Sequence, residues 1–140
     1  MTYVSPTLRQ SILDRAGNCC EYCLLSQDDN FLPFEVDYII AEKHGGTTVS
    51  DNLCLSCSNC NGFKGSDIAS NDPMTGVLTR LFNPRRQHWT DHFRLTGAVI
   101  EPLTPEGRVT VFLLRLNRSE QVEERIALIE LGRYPCPKLQ

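Results

Sequence analysis

The sequence has no long apolar run. No segment approaches the roughly 18 consecutive apolar residues that a membrane helix needs, and the opening MTYVSPTLRQ has no hydrophobic segment of a signal peptide. We therefore expect neither a membrane-spanning nor a secreted protein, and we predict a cytoplasmic location. Aromatic residues are few, at 8%, whereas 41% of the 140 residues are apolar. This balance predicts one small globular domain over residues 1–140, with a modest core.

An overall excess of positive charge is also absent. The formal net charge is −3, which excludes a protein that holds nucleic acid through a uniformly basic surface. The charge is uneven: residues 1–79 carry −6, residues 80–118 carry +4 and residues 119–140 carry −1. All seven cations of the middle segment are arginines. Arginine forks suit phosphate oxygens, so this segment is either a nucleic-acid surface or a set of solvated side chains.

Cysteine, by contrast, is abundant, with seven residues. Four of them form two Cys-x-x-Cys pairs, Cys20 with Cys23 and Cys57 with Cys60. Each pair aims two sulfurs at one point, and two such pairs close a tetrahedral zinc site. In a reducing cytosol thiolates favour zinc over disulfides. The alternative is a pair of disulfides or a set of inert buried cysteines.

The other three cysteines lie outside these pairs. Cys54 could form an overlapping pair with Cys57, but its neighbours Leu53 and Leu55 favour a small buried side chain. We expect Cys19 to point away from the metal and Cys136 to be a free thiol in a frayed tail.

Caps and apolar periodicity predict an α+β fold. Ser5 and Pro6 begin a helix over 6–16, which Gly17 ends. Strands are expected over 34–40 and 53–56, and a turn over 72–76. The remaining expectations are a helix from Asn83-Pro84 with Trp89 and Phe93 on one face, a hairpin of 98–103 with 108–114, and a helix capped by Asn117 that runs to about Leu131 with Val122, Ile126 and Ile129 inward.

The 33 residues between the cysteine pairs exceed the usual spacing of about 15–20 in a zinc ribbon. They contain Val36-Asp37-Tyr38-Ile39, Gly45-Gly46 and Asp51-Asn52-Leu53, and the second pair runs directly into Asn61-Gly62-Phe63-Lys64. In these residues the sequence resembles the HNH nuclease family, in the subgroup with two zinc knuckles. That family's pattern is Cys-x-x-Cys, Val-Asp-His-Ile, Gly-Gly, Asp-Asn-Leu and Cys-x-x-Cys-Asn-x-x-Lys. The match covers about residues 15–67, and a looser likeness continues through 81–110.

The resemblance implies a ββα-metal fold held by structural zinc, with residues 15–67 as its core. An N-terminal helix would precede the core, and residues 68–133 would add a helix–hairpin–helix extension. The resemblance also implies a DNA endonuclease with catalytic Mg²⁺ or Mn²⁺. Asp37 and Asn61 match the family's ligands for that metal, and Asn52 matches an asparagine that shapes the loop. Contacts to nucleic acid are expected from Lys64, Arg80, Arg85, Arg86 and Arg94.

Tyr38 departs from the family pattern, which places the general-base histidine there. Phenols ordinarily ionise near pH 10, so tyrosine is a poor base at neutral pH, and losing a general base costs about 10²–10⁴-fold in rate. His44 is a candidate substitute, although family members that keep the strand histidine also carry His-Gly-Gly. His88 and His92 are expected to pack or to contact phosphate.

The leading interpretation is therefore a DNA endonuclease that Tyr38 weakens. One alternative is a nuclease-derived module that binds nucleic acid without cutting it. A further alternative is a zinc-stabilised protein-interaction domain, which the acidic residues 1–79 favour.

Overall fold

The structure is a computed structural model that describes residues 3–137. Within them the strands form three separate two-stranded antiparallel sheets, and no helix has the length and apolar character to cross a bilayer. The expected α+β class is confirmed. The elements are α1 (Pro6–Ala16), β1 (Glu35–Tyr38), β2 (Leu53–Ser56), α2 (Ser58–Lys64), β3 (Ala69–Asn71), β4 (Leu78–Arg80), α3 (Trp89–His92), β5 (Phe93–Thr96), β6 (Val99–Pro102), α4 (Pro105–Leu113) and α5 (Ser119–Glu130).

Helix α1 begins and ends where the sequence predicts. The Ser5 side chain caps it, and Gly17 ends it in the left-handed conformation, with φ 61°. Ile12 faces the core. Arg15 donates from Nη2 to the backbone oxygen of Leu53 over 2.7 Å, which fixes the helix to β2.

Strands β1 and β2 and helix α2 form the expected ββα unit. Asp37 of β1 lies opposite Cys54 of β2, and all four residues of β2 are buried. Helix α2 follows β2 directly, with Cys57 as its N-cap, and packs against β1. The second cysteine pair therefore lies at the junction of strand and helix.

The prediction of a helix that starts at Asn83 is wrong. Asn83 Oδ1 instead accepts a hydrogen bond from Arg85 N over 2.9 Å, which closes a turn. Helix α3 is a single turn, and Phe93 already begins β5. The rings of Trp89 and Phe93 still pack, with centroids 5.0 Å apart. The turn predicted over 72–76 does join β3 to β4.

The predicted hairpin of 98–103 with 108–114 is also wrong. The hairpin is β5 with β6, where Leu95 lies opposite Ile100. Thr104 follows the hairpin and is the N-cap of α4. Its Oγ1 accepts a hydrogen bond from Gly107 N over 3.1 Å. Pro105 then occupies the first helical position, so a Thr-Pro-Glu-Gly segment that resembles a turn begins a helix.

Helix α5 exists as predicted, but a different face is buried. Ile126 and Ile129 are 46% and 39% exposed, whereas Arg125 is fully buried. Arg125 Nε donates to the backbone oxygen of Ala98 over 2.7 Å. Asn117 does not cap the helix, since its Oδ1 accepts from Arg125 Nη2 over 3.1 Å. Buried hydrogen bonds therefore decide which face of this helix points inward, and it is not the face that the apolar periodicity predicts.

The expectation of a free Cys136 thiol is wrong as well, whereas Cys19 lies outside the metal cluster as expected. The two residues form a disulfide across 117 positions of sequence, with their Cα atoms 5.9 Å apart. The tail packs on the first cysteine pair: Tyr134 donates from its hydroxyl to the Cys23 oxygen over 2.7 Å, and Cys136 N donates to the Leu24 oxygen over 3.0 Å. The segment around Cys136 is thus docked and not frayed.

Candidate metal centre and active site

The two Cys-x-x-Cys pairs come together as expected. The Sγ atoms of Cys20, Cys23, Cys57 and Cys60 all lie within 4.8 Å of one another, and all four residues are buried. Cys23 Sγ and Cys57 Sγ are 3.7 Å apart. A tetrahedron with metal–sulfur bonds of about 2.3 Å, the zinc value, has an edge of about 3.8 Å. The four cysteines are therefore positioned to hold one metal ion, and their spacing fits zinc.

The backbone and the neighbouring thiols prepare this cluster for metal. In each pair the second cysteine's N–H donates to the first cysteine's sulfur: Cys23 N to Cys20 Sγ over 3.5 Å, and Cys60 N to Cys57 Sγ over 3.4 Å. Hydrogen bonds from the Cys20 and Cys23 thiols lower the pKa of Cys57 far below its usual range, whereas hydrogen bonds within the same cluster raise the pKa values of Cys23 and Cys60. Of these three, Cys57 is therefore the first to become a thiolate, which is the metal-binding form.

Cys54 stays outside the cluster, as expected. It is fully buried and its thiol contacts the Tyr22 hydroxyl over 3.6 Å. Burial raises the pKa of Cys54 to about 12. Cys54 is therefore a neutral, small core side chain.

The Asp37 carboxylate lies between β1 and α2. Its side chain is 11% exposed, and Oδ2 has no hydrogen-bond partner. Burial raises the pKa of Asp37 to about 6, although the Lys64 ammonium, 3.8 Å from Oδ2, acts in the opposite direction. A nearly buried carboxylate oxygen without a donor is suited to a hard divalent cation. Asn61, the other expected ligand, is half-buried on α2, one turn before Lys64.

Lys64, which the sequence predicts as a nucleic-acid contact, is buried in the structure. It is 2% exposed, and its Nζ donates to the Tyr38 backbone oxygen over 3.0 Å. The side chain forms part of the wall of a cavity of about 190 Å³, which Arg80 and Arg86 also line. Lys64 therefore contributes positive charge beneath the surface, between Asp37 and that cavity.

The span that carries these features is also the one that matches a known family. Residues 20–67 match the model of the HNH endonuclease family. This HNH segment contains both cysteine pairs, β1, β2 and α2.

Similarity to one curated protein extends beyond the HNH segment. It is 24% identical over 119 residues to Septu protein PtuB of Bacillus thuringiensis. The alignment covers 84% of this chain and 44% of that protein, so the chain spans less than half the length of the curated relative it matches. No solved structure matches the chain.

Asn52 shapes the loop of the HNH segment between β1 and β2. Its Oδ1 accepts from Ile40 N over 2.9 Å, and its Nδ2 donates to the oxygens of Ile40 and Thr47 over 2.8 and 2.9 Å. Gly46 packs against the same turn, where a Cβ would lie 1.7 Å from the Ile40 oxygen. The second glycine of Gly45-Gly46 is therefore needed for close approach of the backbone.

Tyr38, at the position of the family's general base, and His44, the candidate substitute, lie on this loop side of the HNH segment. The Tyr38 hydroxyl shares a hydrogen bond of 2.6 Å with Thr48 Oγ1. His44 is exposed in the 3₁₀ turn Glu42–His44. Among the described residues, no hydrogen bond or ion pair joins His44 to Asp37, so the structure does not bring them into direct contact.

The four arginines expected at nucleic acid fall into two kinds. Arg85 is 11% exposed and paired with Glu21, and exposed Arg94 is paired with Glu101 at 2.9 Å. Arg80 and Arg86 are exposed and lie at the cavity beside Lys64. Of these four arginines, Arg80 and Arg86 are the two that form no hydrogen bond with a carboxylate of the described residues 3–137. Their charge lies next to the HNH segment.

Sequence reasoning missed Glu21, between Cys20 and Cys23. Its Oε2 accepts from Leu55 N over 2.8 Å, and its Oε1 pairs with Arg85. Glu21 thus joins the first cysteine pair to β2 and to the extension. Because Arg85 is 64 residues away, no local pattern could have paired the two.

His92, as expected, packs: its ring lies 5.7 Å from that of Phe82.

Proposed function

We propose that this protein is a metal-dependent endonuclease that hydrolyses phosphodiester bonds of DNA. The observation that carries the proposal is Oδ2 of Asp37, which is nearly buried on the strand of an HNH segment, accepts no hydrogen bond and has the Lys64 ammonium 3.8 Å away. A buried carboxylate without a full set of hydrogen bonds is costly. A divalent cation at this position would remove that cost.

Two metals are part of the proposal. Zinc, held by the four cysteines, is structural, because all four positions of its tetrahedron are taken by protein sulfurs. Asp37 and Asn61 would hold Mg²⁺ or Mn²⁺, both oxygen-ligated cations. When bound, that cation polarises a phosphate oxygen and stabilises the charge that develops as the bond breaks.

The remaining residues position the site. The buried Lys64 ammonium ties α2 to β1 through the Tyr38 oxygen, and its charge is favourable to a phosphate in the adjacent cavity. Arg80 and Arg86 would contact the DNA backbone at the cavity rim. Asn52 and Gly46 hold the loop in one conformation.

Tyr38 makes the cutting slow in this proposal. Without a base at that position, the attacking hydroxide comes from solution, so the rate rises with pH. The second candidate function is binding of nucleic acid without cutting. The Tyr38–Thr48 hydrogen bond favours it, because it engages the hydroxyl in a loop contact.

Nicking of supercoiled plasmid in Mg²⁺ or Mn²⁺ tests the proposal. We expect weak nicking that increases with pH and that Asp37→Ala abolishes. The matched control is Glu35→Ala, which removes an exposed carboxylate from the same strand and should leave nicking unchanged. Zinc content and thermal unfolding, measured on both variants, show whether the fold is intact.

The alternatives give different results in the same experiments. No nicking by the parent in either metal, with DNA retained in filter binding, supports the binding module. If the parent neither nicks plasmid nor retains DNA on the filter, both the nuclease and the binding module are contradicted. A zinc-stabilised protein-interaction domain then remains.

A further inference from the structure

A second cleft lies beside Arg15 and Glu21, two residues that bond to β2. Glu21 N donates to the Leu55 oxygen, Leu55 N donates to Glu21 Oε2, and Arg15 Nη2 donates to the Leu53 oxygen. The cleft has a volume of about 570 Å³, within the usual range for small-molecule sites. The lining residues that matter are Arg15, Glu21, Asp51, Arg85, His88 and Trp89.

The cleft adjoins the cavity beside Lys64. Phe82 and Gln87 line both. Phe82 is buried and Gln87 half-buried, so these two side chains form the boundary between the two spaces. A chain molecule that occupies the Lys64 cavity could therefore extend past Gln87 into the cleft.

The cleft wall holds an arginine without a carboxylate partner. Arg15 donates from its two terminal nitrogens to Ser50 Oγ, the Ser50 oxygen and the Leu53 oxygen, all uncharged. Its Nε also has no hydrogen-bond partner, but that atom is buried, so a ligand in the cleft would meet the terminal nitrogens. Arg85, in contrast, is paired with Glu21. The contacts of Arg15 hold its guanidinium group in a fixed position, which lowers the entropic cost of binding an anion.

Trp89 supplies a rigid aromatic wall. Its Nε1 donates to the Tyr22 oxygen over 2.9 Å, and its ring packs on Phe93. The indole remains partly exposed, and part of it lines the cleft. Fixed aromatic rings of this kind stack nucleobases with little dependence on sequence.

We propose that this cleft binds a DNA nucleotide next to the one that is cut, with its base against Trp89 and its phosphate towards Arg15. The proposal rests on the proposed function, because the strand reaches the cleft from the Lys64 cavity. Asp51 opposes it electrostatically, since its exposed carboxylate lines the same cleft. Removal of the Asp51 carboxylate should therefore strengthen binding of the nucleotide.

Trp89 is the single tryptophan of the chain, so its fluorescence reports on the cleft directly. The probe is a DNA duplex with a single-stranded overhang of about ten nucleotides, added at low salt without divalent metal, so that it is bound but not cut. We expect saturable quenching of Trp89 fluorescence. A fluorescent label on the same DNA measures total binding by anisotropy.

Removing the opposing charge should strengthen binding. Asp51→Asn is expected to tighten the quenching transition by about threefold at low salt, from the loss of one like charge near a phosphate. Asp28→Asn is the matched control, because it removes an exposed carboxylate that does not line the cleft. Weaker quenching by the DNA in Asp51→Asn than in the parent would contradict a phosphate near Asp51.

The outcomes separate the two proposals. Anisotropy that reports binding while Trp89 fluorescence stays constant overturns the cleft site, and leaves the proposed nuclease function standing. Equal affinities of Asp51→Asn and Asp28→Asn also overturn it. If the DNA does not bind and plasmid is not nicked, the cleft site and the proposed function both fail.

Discussion

The Lys64 ammonium and the Asp37 Oδ2 lie 3.8 Å apart in the interface of α2 with β1. Lys64 is 2% exposed and Asp37 11%, so each is the other's nearby counter-charge in a largely dehydrated place. Breaking a buried pair is costly because it leaves the remaining charge uncompensated.

This relationship predicts non-additive effects on stability. Lys64→Met should lower the free energy of unfolding by about 3 kcal/mol. The double variant Asp37→Asn with Lys64→Met should recover much of that loss, since no buried charge remains. Urea unfolding of zinc-loaded protein measures both. A double variant less stable than Lys64→Met would show that Lys64 acts through packing or through its bond to the Tyr38 oxygen.

The cysteine cluster predicts one zinc per chain. Cys57→Ser should lose the metal and much of the stability, because it removes one of four ligands from a small core that depends on them. Cys54→Ser should keep the metal, since Cys54 lies outside the cluster. Elemental analysis of protein purified without chelator checks both. Full zinc in Cys57→Ser together with loss of zinc in Cys54→Ser would reverse the assignment.

Restoring the family's histidine should speed cleavage. Tyr38→His is expected to raise plasmid nicking about 10²-fold, the lower end of the effect of a general base, and to flatten the dependence on pH. Adding Asp37→Ala should abolish the gain. Thr48→Val on the parent is the control, because it removes the partner of the Tyr38 hydroxyl without supplying a base. A folded, zinc-loaded Tyr38→His that does not cut would favour the binding module.

The arginines at the cavity should contribute to DNA binding, and the paired one should not. Arg80→Ala with Arg86→Ala should weaken DNA binding at low salt and lower the slope of log affinity against log salt by about two, one for each phosphate contact. Arg94→Ala is the control, because Glu101 already neutralises Arg94. Anisotropy titrations over a range of salt measure the slopes. Equal slopes in the two variants would place the DNA elsewhere.

The ion pair of Asp72 with Arg108 predicts a dependence of stability on pH. Arg108 donates from Nε and Nη2 to the two carboxylate oxygens over 2.9 and 2.7 Å, and holds the pKa of Asp72 well below its usual 3.8. A lowered folded-state pKa means that the pair stabilises the fold fully above pH 4 and loses this contribution as the pH falls further. The parent should therefore exceed Asp72→Asn in stability at pH 7, with the difference shrinking by pH 3. A difference that is constant with pH would contradict an electrostatic origin.

Local signals in the sequence determined several parts of the fold. Ser5, Pro6 and Gly17 set both ends of α1, because capping depends only on residues within one turn. The two Cys-x-x-Cys pairs determined the metal cluster, since each pair builds its own half of the tetrahedron. The Asp-Asn-Leu segment likewise places Asn52 where its carboxamide closes the loop.

Tertiary contacts decided the rest, because they join residues that are far apart in sequence. The Arg125 bond to the Ala98 oxygen turns α5 against its apolar stripe, and Thr104 caps α4 where the sequence also fits a hairpin turn. Glu21 forms an ion pair with Arg85 of the basic segment. Cys136 forms a disulfide with Cys19, which lies near the other end of the chain. Composition shows that seven arginines are concentrated in one segment. Only the folded chain decides which of them meet a carboxylate and which stay free for a phosphate, because an ion pair depends on distance in space.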